Sequence, residues 1–195
     1  NFGIGDDAEK RDKYLSISKE QLMYLNSMVE QILTMSVEER KNLKLSLVNI
    51  NLYDLFENNK NQFLLNGQKP IVFDIDVDPK DLTIEADHIH FGNIISNLIE
   101  NAIKYSKDSV TITLSAYRKD HKTIISIADN GIGIPQNSLD KIFDKFYRVS
   151  TGNIHDVKGY GLGLFYVKTI VDKHGWNIKV ESTEGKGTCF KIIIG

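Results

Sequence analysis

Asn97 to Ser106 reads Asn-Leu-Ile-Glu-Asn-Ala-Ile-Lys-Tyr-Ser. No other stretch constrains the chain as strongly. Wound as a helix at about 100° per residue, Asn97, Asn101, Lys104 and Tyr105 stand at i, i+4, i+7 and i+8 and share one face. Ile95, Leu98, Ile99, Ala102 and Ile103 fall on the other side as a broad apolar stripe. Such a helix sinks one side into a core and presents two carboxamides, an ammonium and a phenol on the other. Amide oxygens suit a hard cation, a lysine suits a phosphate as a mobile point charge, and a tyrosine can lie on a flat ring. Taken alone, the pattern also describes an ordinary amphipathic surface helix.

The 195 residues suffice for one well-buried domain with an extension. Hydrophobic content of 41% and charged content of 26% are those of a globular protein. A net charge of −2 supports no nucleic-acid surface. One cysteine, Cys189, allows no internal disulfide and suggests a reducing compartment. No apolar run approaches the roughly 20 residues of a membrane span, and no secretory signal is visible. The chain starts at Asn1 rather than Met, so a piece of a longer protein is expected.

Residues 1–12 read as a loose lead-in. From Lys13 to about Met35, Leu15, Leu22, Leu25, Val29 and Ile32 follow a 3-4 spacing without Gly or Pro. A helix with so narrow a seam is marginal alone and points to a bundle or dimer partner, with packing on its own domain as the alternative. Ser46–Asn51 alternates as a strand, and Leu52 to about Leu65 reads as a helix ending near Gly67. Pro70–Val77 and Leu82–Glu85 read as strands about an Asp78-Pro79 turn. Asp87 is the expected N-cap of the helix running to about Tyr105. Val110–Tyr117 and Thr123–Ala128 form a hairpin pattern turning at Lys119-Asp120. Asn130–Tyr160 shows little periodicity, which in so long a loop signals function or disorder. Leu162–His174 reads as a helix, and Trp176–Glu181 and Thr188–Ile194 as the last strands. The tally of strands capable of antiparallel pairing and three helices after residue 45 predicts an α+β, two-layer α/β sandwich.

Three glycine-bearing segments follow the central helix. Asp129-Asn130-Gly131-Ile132-Gly133-Ile134-Pro135 places a carboxylate at a strand end beside glycines that permit close backbone approach. A carboxylate there selects an amino group, though an Asp-Asn-Gly turn explains the same residues. Gly159-Tyr160-Gly161-Leu162-Gly163-Leu164 opens a helix and can offer N–H groups to an anion. It matches neither the dinucleotide fingerprint nor the Gly-x-x-x-x-Gly-Lys phosphate loop. Gly185-Lys186-Gly187-Thr188-Cys189-Phe190 is a glycine turn into a strand, which can set the Thr188 hydroxyl beside Asp129 or be a plain hairpin.

In this order and at these separations, the pieces resemble the N, G1, G2 and G3 boxes of the histidine-kinase catalytic domain. Phe143-Asp144-Lys145-Phe146-Tyr147-Arg148-Val149 stands in the place of the F box. The resemblance covers residues 46–195 and implies the Bergerat ATP-binding fold shared with gyrase and chaperone ATPases. Residues 13–45 resemble the second helix of a dimerisation and phosphotransfer hairpin with its linker. The resemblance implies that Asp129 binds the adenine amino group with Thr188 in support through water. Gly131, Gly133 and Ile134 close the backbone on the base, and Tyr105 lies against the ring. Asn101, with Asn97, would hold Mg²⁺ at the ATP phosphates, while Lys104 and Arg148 would neutralise their charge. Gly159, Tyr160, Gly161, Leu162, Gly163 and Leu164 would wrap the phosphates, with Phe143 and Phe146 anchoring that lid.

In gyrase-like ATPases the position four before the magnesium Asn is a Glu that activates water. Here it is Asn97, and an amide is no general base. Glu100 is turned about 100° from Asn101 and is a poor substitute. A kinase that holds ATP without hydrolysing it is thus implied, over a gyrase- or chaperone-type ATPase or a non-catalytic nucleotide-binding module. Its implied partners are a phosphoacceptor-histidine helix, a response-regulator receiver domain and a second copy through helix 13–35. The acceptor helix itself is not found among these residues. His155-Asp156 only superficially mimics its motif, and His174 reads as a structural helix end. The same resemblance places the chain in the cytoplasm as part of a membrane-anchored sensor.

Overall fold

Two periods, 2 for strands and 3.6 for helices, sort the chain into a sheet layer and a helix layer. The computed structural model describes Arg11, Tyr14, Leu15, Ser18 and Leu22 together with residues 43–66, 69–149 and 160–195. The chain divides into two units, Asn1–Lys44 and Leu45–Gly195. In the first, the five separately described residues are helical and exposed. Most of the helix expected over 13–35 lies outside the described residues.

In the second unit the elements run β1 (Leu47–Asn51), α1 (Leu52–Asn66), β2 (Ile71–Asp78), β3 (Thr83–Asp87), α2 (His88–Lys104), β4 (Val110–Lys119), β5 (Lys122–Asp129), α3 (Gly163–Lys173), β6 (Asn177–Thr183) and β7 (Gly187–Ile194). A short 3-10 turn, Gln136–Ser138, interrupts the long connection after β5. Five strands form one sheet in the order β2-β4-β5-β7-β6, and β1 pairs with β3 in a second, two-stranded sheet. All pairs are antiparallel except β2 with β4, which run parallel from Ile71↔Val110 to Asp78↔Tyr117. The hairpin of β4 and β5 turns at Asp120 and His121, both at positive φ, one residue later than expected.

Alternation decides which sheet face is covered. Val110, Ile112, Leu114 and Ala116 of β4, Ile125 and Ile127 of β5, Phe190 and Ile192 of β7 and Ile178 of β6 are buried. They meet Phe91, Ile94, Ile95, Leu98, Ile99 and Ala102 of α2 and Val167, Ile170 and Val171 of α3. Each such large aliphatic or aromatic side chain contributes roughly 1.5–3 kcal/mol of hydrophobic stabilisation. The helix layer on a mostly antiparallel sheet is the two-layer sandwich that the pattern predicts.

Asp87 sets where α2 begins. One of its carboxylate oxygens accepts from the backbone N–H groups of Ile89 (3.1 Å) and His90 (3.0 Å), and the other from Ser46 (2.8 Å). The cap thereby ties the start of β1 to the central helix. The Asp87 N–H donates in turn to His174 Nε2 at 3.1 Å. The His174 ring therefore carries its proton on Nδ1, which donates to the Ile170 carbonyl at 2.8 Å, and it stacks on Trp176 at 4.2 Å. His174 is a structural helix end, as the sequence suggests.

Candidate functional site

The carboxyl end of α2 and the loop after β5 are sewn together through backbone. Tyr105 is the C-cap of α2, and its carbonyl accepts from Ile132 N at 2.9 Å. The approach leaves no room for a side chain at Gly131. A Cβ there would stand 2.6 Å from the Tyr105 oxygen and 2.8 Å from Asp129 Oδ1. Gly133 lies at φ +69 against the Thr183 carbonyl, while Gly185 N donates to Ile132 O at 2.7 Å. The loop that begins with Asp129 is thus held between the helix end and the β6–β7 turn. The glycines that permit close approach in the sequence give room here to neighbouring backbone.

Asp129 ends β5 opposite Thr188 of β7, so the two side chains leave the sheet on the same face. Asp129 Oδ1 accepts from Gly131 N at 2.7 Å. Burial pushes the carboxyl above its ordinary range, against the N–H groups of Gly131 and Thr188, which hold it down. Ser182, across from Thr188 on β6, accepts from Ile134 N at 2.8 Å, donates to Gly187 O at 2.8 Å and lies 3.1 Å from Thr188 Oγ1.

Two cationic side chains come together at the carboxyl end of α2. Burial lowers the Lys104 ammonium below its ordinary value, Arg148 adds to the effect, and Glu100 opposes it. Burial raises the Tyr105 phenol, with Arg148 opposing. Lys104 Nζ lies 5.2 Å from the Tyr105 ring centre. Two cations and a half-buried aromatic ring thus converge at one helix end, where like charges favour an anion between them. Although Glu100 is largely exposed, partial burial of its carboxyl raises its pKa, and Lys104 works the other way.

One turn back on α2, Asn97 Nδ2 donates to Asn93 O at 2.8 Å. That bond uses the amide nitrogen, and the amide oxygen lies toward α3, where a Cβ at Gly163 would stand only 2.7 Å from it. Gly163 is the first residue of α3, after the buried Leu162 and before the half-buried Leu164. Gly161, at φ +70, lies against Phe146 and Tyr147, and its carbonyl accepts from Phe146 N at 3.0 Å. Tyr160 is exposed, and Gly159 and His155 lie outside the described residues. Of the two expected lid anchors, Phe143 meets Phe190 edge to face at 6.4 Å. Phe146 does not anchor anything by burial. It is 63% exposed at φ +66, because its backbone N–H serves Gly161 and its ring is left to the Lys145 ammonium at 5.6 Å.

Two supporting residues escape a reading of the sequence. Ser182 follows Ile178 and Val180 on the inward face of β6, and a hydroxyl in an apolar alternating row was its only signal. Lys69, just before β2, donates to Ser106 Oγ (2.5 Å), Ser106 O (3.2 Å) and Lys107 O (3.2 Å), bracing the segment after Tyr105. Nothing local marks it, since its acceptors lie 37 and 38 residues away.

Comparison with known proteins places this arrangement in company. The family model described as "Histidine kinase-, DNA gyrase B-, and HSP90-like ATPase" matches residues 86–194. Sensor protein RprX of Bacteroides fragilis is 36% identical over 198 residues, covering 98% of this chain and 37% of the relative. Sensor histidine kinase WalK of Bacillus subtilis is 28% identical over 188 residues, covering 95% of this chain and 31% of the relative. Among solved structures, histidine kinase ThkA in complex with response regulator protein TrrA is similar at a TM-score of 0.69 and 27% identity, over 93% of this chain and 50% of that one. The chain spans about a third of the length of the curated relatives it matches.

Proposed function

The chain belongs to the histidine kinase-, DNA gyrase B-, and HSP90-like ATPase family, and we propose that it is the ATP-binding catalytic part of a sensor histidine kinase. In this reading it delivers the ATP γ-phosphoryl group to a histidine on a phosphotransfer helix, for onward transfer to an aspartate of a response-regulator receiver domain. A helix within 13–35 pairs with a second copy, and the whole is part of a longer, membrane-anchored sensor. The chain's own described helices include none long and apolar enough to cross a membrane.

The roles follow from the chemistry of each group. Asp129 accepts from the adenine amino group beside Thr188, and Gly131, Gly133 and Ile134 shape the backbone around the base. Tyr105 lies along the ring, and Lys104 and Arg148 neutralise phosphate charge. The amino end of α3, with Tyr160, Gly161, Leu162, Gly163 and Leu164, faces the phosphates. Gly159 joins them on the sequence resemblance alone. Catalysis is mainly positioning and charge neutralisation.

A divalent cation fits the donors. Among the described residues no three His, Cys, Asp or Glu side chains gather as a cage. Asn97, whose amide nitrogen is engaged by Asn93 O, and Asn101, one turn on, offer amide oxygens of the kind Mg²⁺ accepts beside phosphates. When bound, Mg²⁺ would supply charge neutralisation at the phosphates.

The contact of Asn97 with Gly163 carries the kinase reading over the ATPase one. Asn97 stands where α2 meets the start of α3, and an amide cannot activate water. A phosphotransfer assay with a separately supplied acceptor-helix protein tests it. Labelling of that protein's histidine is expected, while steady phosphate release from this chain alone would favour the ATPase.

A further inference from the structure

Ser182 has one proton and three polar neighbours. The Gly187 carbonyl at 2.8 Å can only accept, so the Ser182 proton goes there. Ile134 N at 2.8 Å can only donate, so it takes one Ser182 lone pair. The contact with Thr188 Oγ1 at 3.1 Å then has one solution: Thr188 donates and Ser182 accepts. The Thr188 proton is thereby committed away from Asp129. Thr188 is 7% exposed and stands directly opposite Asp129 in the β5–β7 register. What it turns toward the carboxylate side is oxygen lone pairs alone.

From this proton count we propose that Ser182 is a specificity-determining positioning residue, which makes this end of the site acceptor-only. Asp129 contributes a carboxylate with one oxygen already holding Gly131 N–H, and Thr188 contributes a hydroxyl oxygen without a free proton. Two acceptors side by side suit an exocyclic amino group, which brings two N–H donors. They reject a carbonyl oxygen at the same place, since a buried acceptor facing acceptors leaves both unpaired. The site thus selects a 6-aminopurine nucleotide over a 6-oxopurine nucleotide. Ser182 enforces the choice without touching the ligand. The inference rests on the adenine-nucleotide reading of the site.

Calorimetry on the full 195-residue chain with ATP and ITP tests it, because ITP carries a carbonyl in place of the amino group. In Ser182→Ala the Thr188 hydroxyl is free to rotate and donate. The ATP-over-ITP preference should fall about tenfold, the scale of one hydrogen-bond relation reversed. Ser182→Thr keeps the hydroxyl and should restore the preference. A merely structural loss would weaken both nucleotides alike and leave the ratio unmoved. If alanine prevents folding, Ser182→Cys keeps the volume with only a weak donor and should narrow the ratio in smaller measure. An unchanged ratio in either folded variant overturns the role of Ser182 while leaving the nucleotide site standing. A wild-type chain that binds neither nucleotide overturns the site reading and this inference together.

Discussion

Gly163, the first residue of α3, lies against the side-chain oxygen of Asn97 on α2, so that a Cβ on the glycine would stand 2.7 Å from it. The glycine is there for α2 as much as for its own helix. Alanine is a better helix former than glycine, and the obstructed atom is the movable end of a side chain. Gly163→Ala should therefore leave the melting temperature unchanged or raised, while displacing the Asn97 oxygen and weakening Mg·ATP binding. Thermal melts and calorimetry on the same variant separate the two effects. A drop in stability with unchanged Mg·ATP affinity would show that the contact serves packing alone.

Asp129 is an acid held ionised at a cost. Its folded pKa lies above the usual 3.8 because burial disfavours the charge. Its contribution to folding is then fully present below 3.8 and is lost as pH rises through the folded value. Asp129→Asn removes that charge and can keep the 2.7 Å bond from Gly131 N. Stability at neutral pH should be retained or rise. ADP and ATP binding should weaken by about 1–3 kcal/mol, since a donor now faces the base's amino group. Unchanged ADP affinity would remove Asp129 from the site.

Asn101 tests the cation apart from the base. Asn101→Ala deletes an amide oxygen on the α2 face shared with Asn97 and Lys104, and a hard cation is sensitive to each oxygen lost. Mg·ATP binding should fall much more than adenosine binding in parallel titrations. Equal losses would point to a folding defect.

The parts of this site visible in the sequence are those written in short range. The period of α2, its Asp87 cap and the β4–β5 alternation each need only neighbours within a few residues, and all three stand as read. Direction across a sheet is not written that way. Alternation in Ile71–Asp78 marks a strand without saying that it runs parallel to β4. Ser182 and Lys69 act across 48 and 37 residues on groups that no local pattern connects to them. The glycines show the mixture well. Gly131 was legible as a close approach and Gly163 as the opening of a helix, but what lies against them, the Tyr105 carbonyl and the Asn97 amide, is a property of the folded chain.

His174 gives the fold a pH limb. Burial lowers its pKa, which the Ile170 carbonyl and Asp87 charge oppose and the neighbouring His90 reinforces. A histidine with a depressed folded pKa contributes stability that is present above the unfolded value near 6.5 and is lost as pH falls through the folded one. The physical reason is that protonated Nε2 can no longer accept the Asp87 N–H. Asp87 itself feels burial first, but the N–H groups of His90, Ser46 and Ile89 and the charge of His90 outweigh it and lower its pKa. Its own loss therefore comes at pH below 3.8 and is separable. His174→Phe keeps a ring on Trp176 and removes the titration. The unfolding free energy from denaturant melts should fall at neutral pH by about 1–3 kcal/mol for the orphaned N–H, and the decline just below pH 6.5 should flatten. A wild-type decline that persists in the variant would assign it to another group.

The last expectation concerns phosphorylation of this chain by itself. In-line transfer needs an imidazole nitrogen free and held at the γ-phosphoryl group, and positioning supplies a large share of such a barrier. His174 has both ring nitrogens engaged, one with Asp87 N and one with Ile170 O. His90 uses Nδ1 on the Tyr166 hydroxyl at 2.9 Å. His88 and His90 sit at the far end of α2, roughly 17–20 Å along the axis from Asn101 at 1.5 Å per residue. His121 is in the β4–β5 turn, at the opposite end of β5 from Asp129. His155 has the acidic neighbour Asp156 and lies outside the described residues, in the stretch that the sequence resemblance assigns to a lid. Incubated alone with γ-labelled ATP and Mg²⁺, the 195-residue chain should bind nucleotide and gain essentially no acid-labile phosphate. Labelling that appears on adding a protein with an intact acceptor helix would support phosphotransfer against simple hydrolysis. Stoichiometric labelling of the chain alone, abolished by His155→Ala, would make the segment between Val149 and Tyr160 an acceptor instead of a lid.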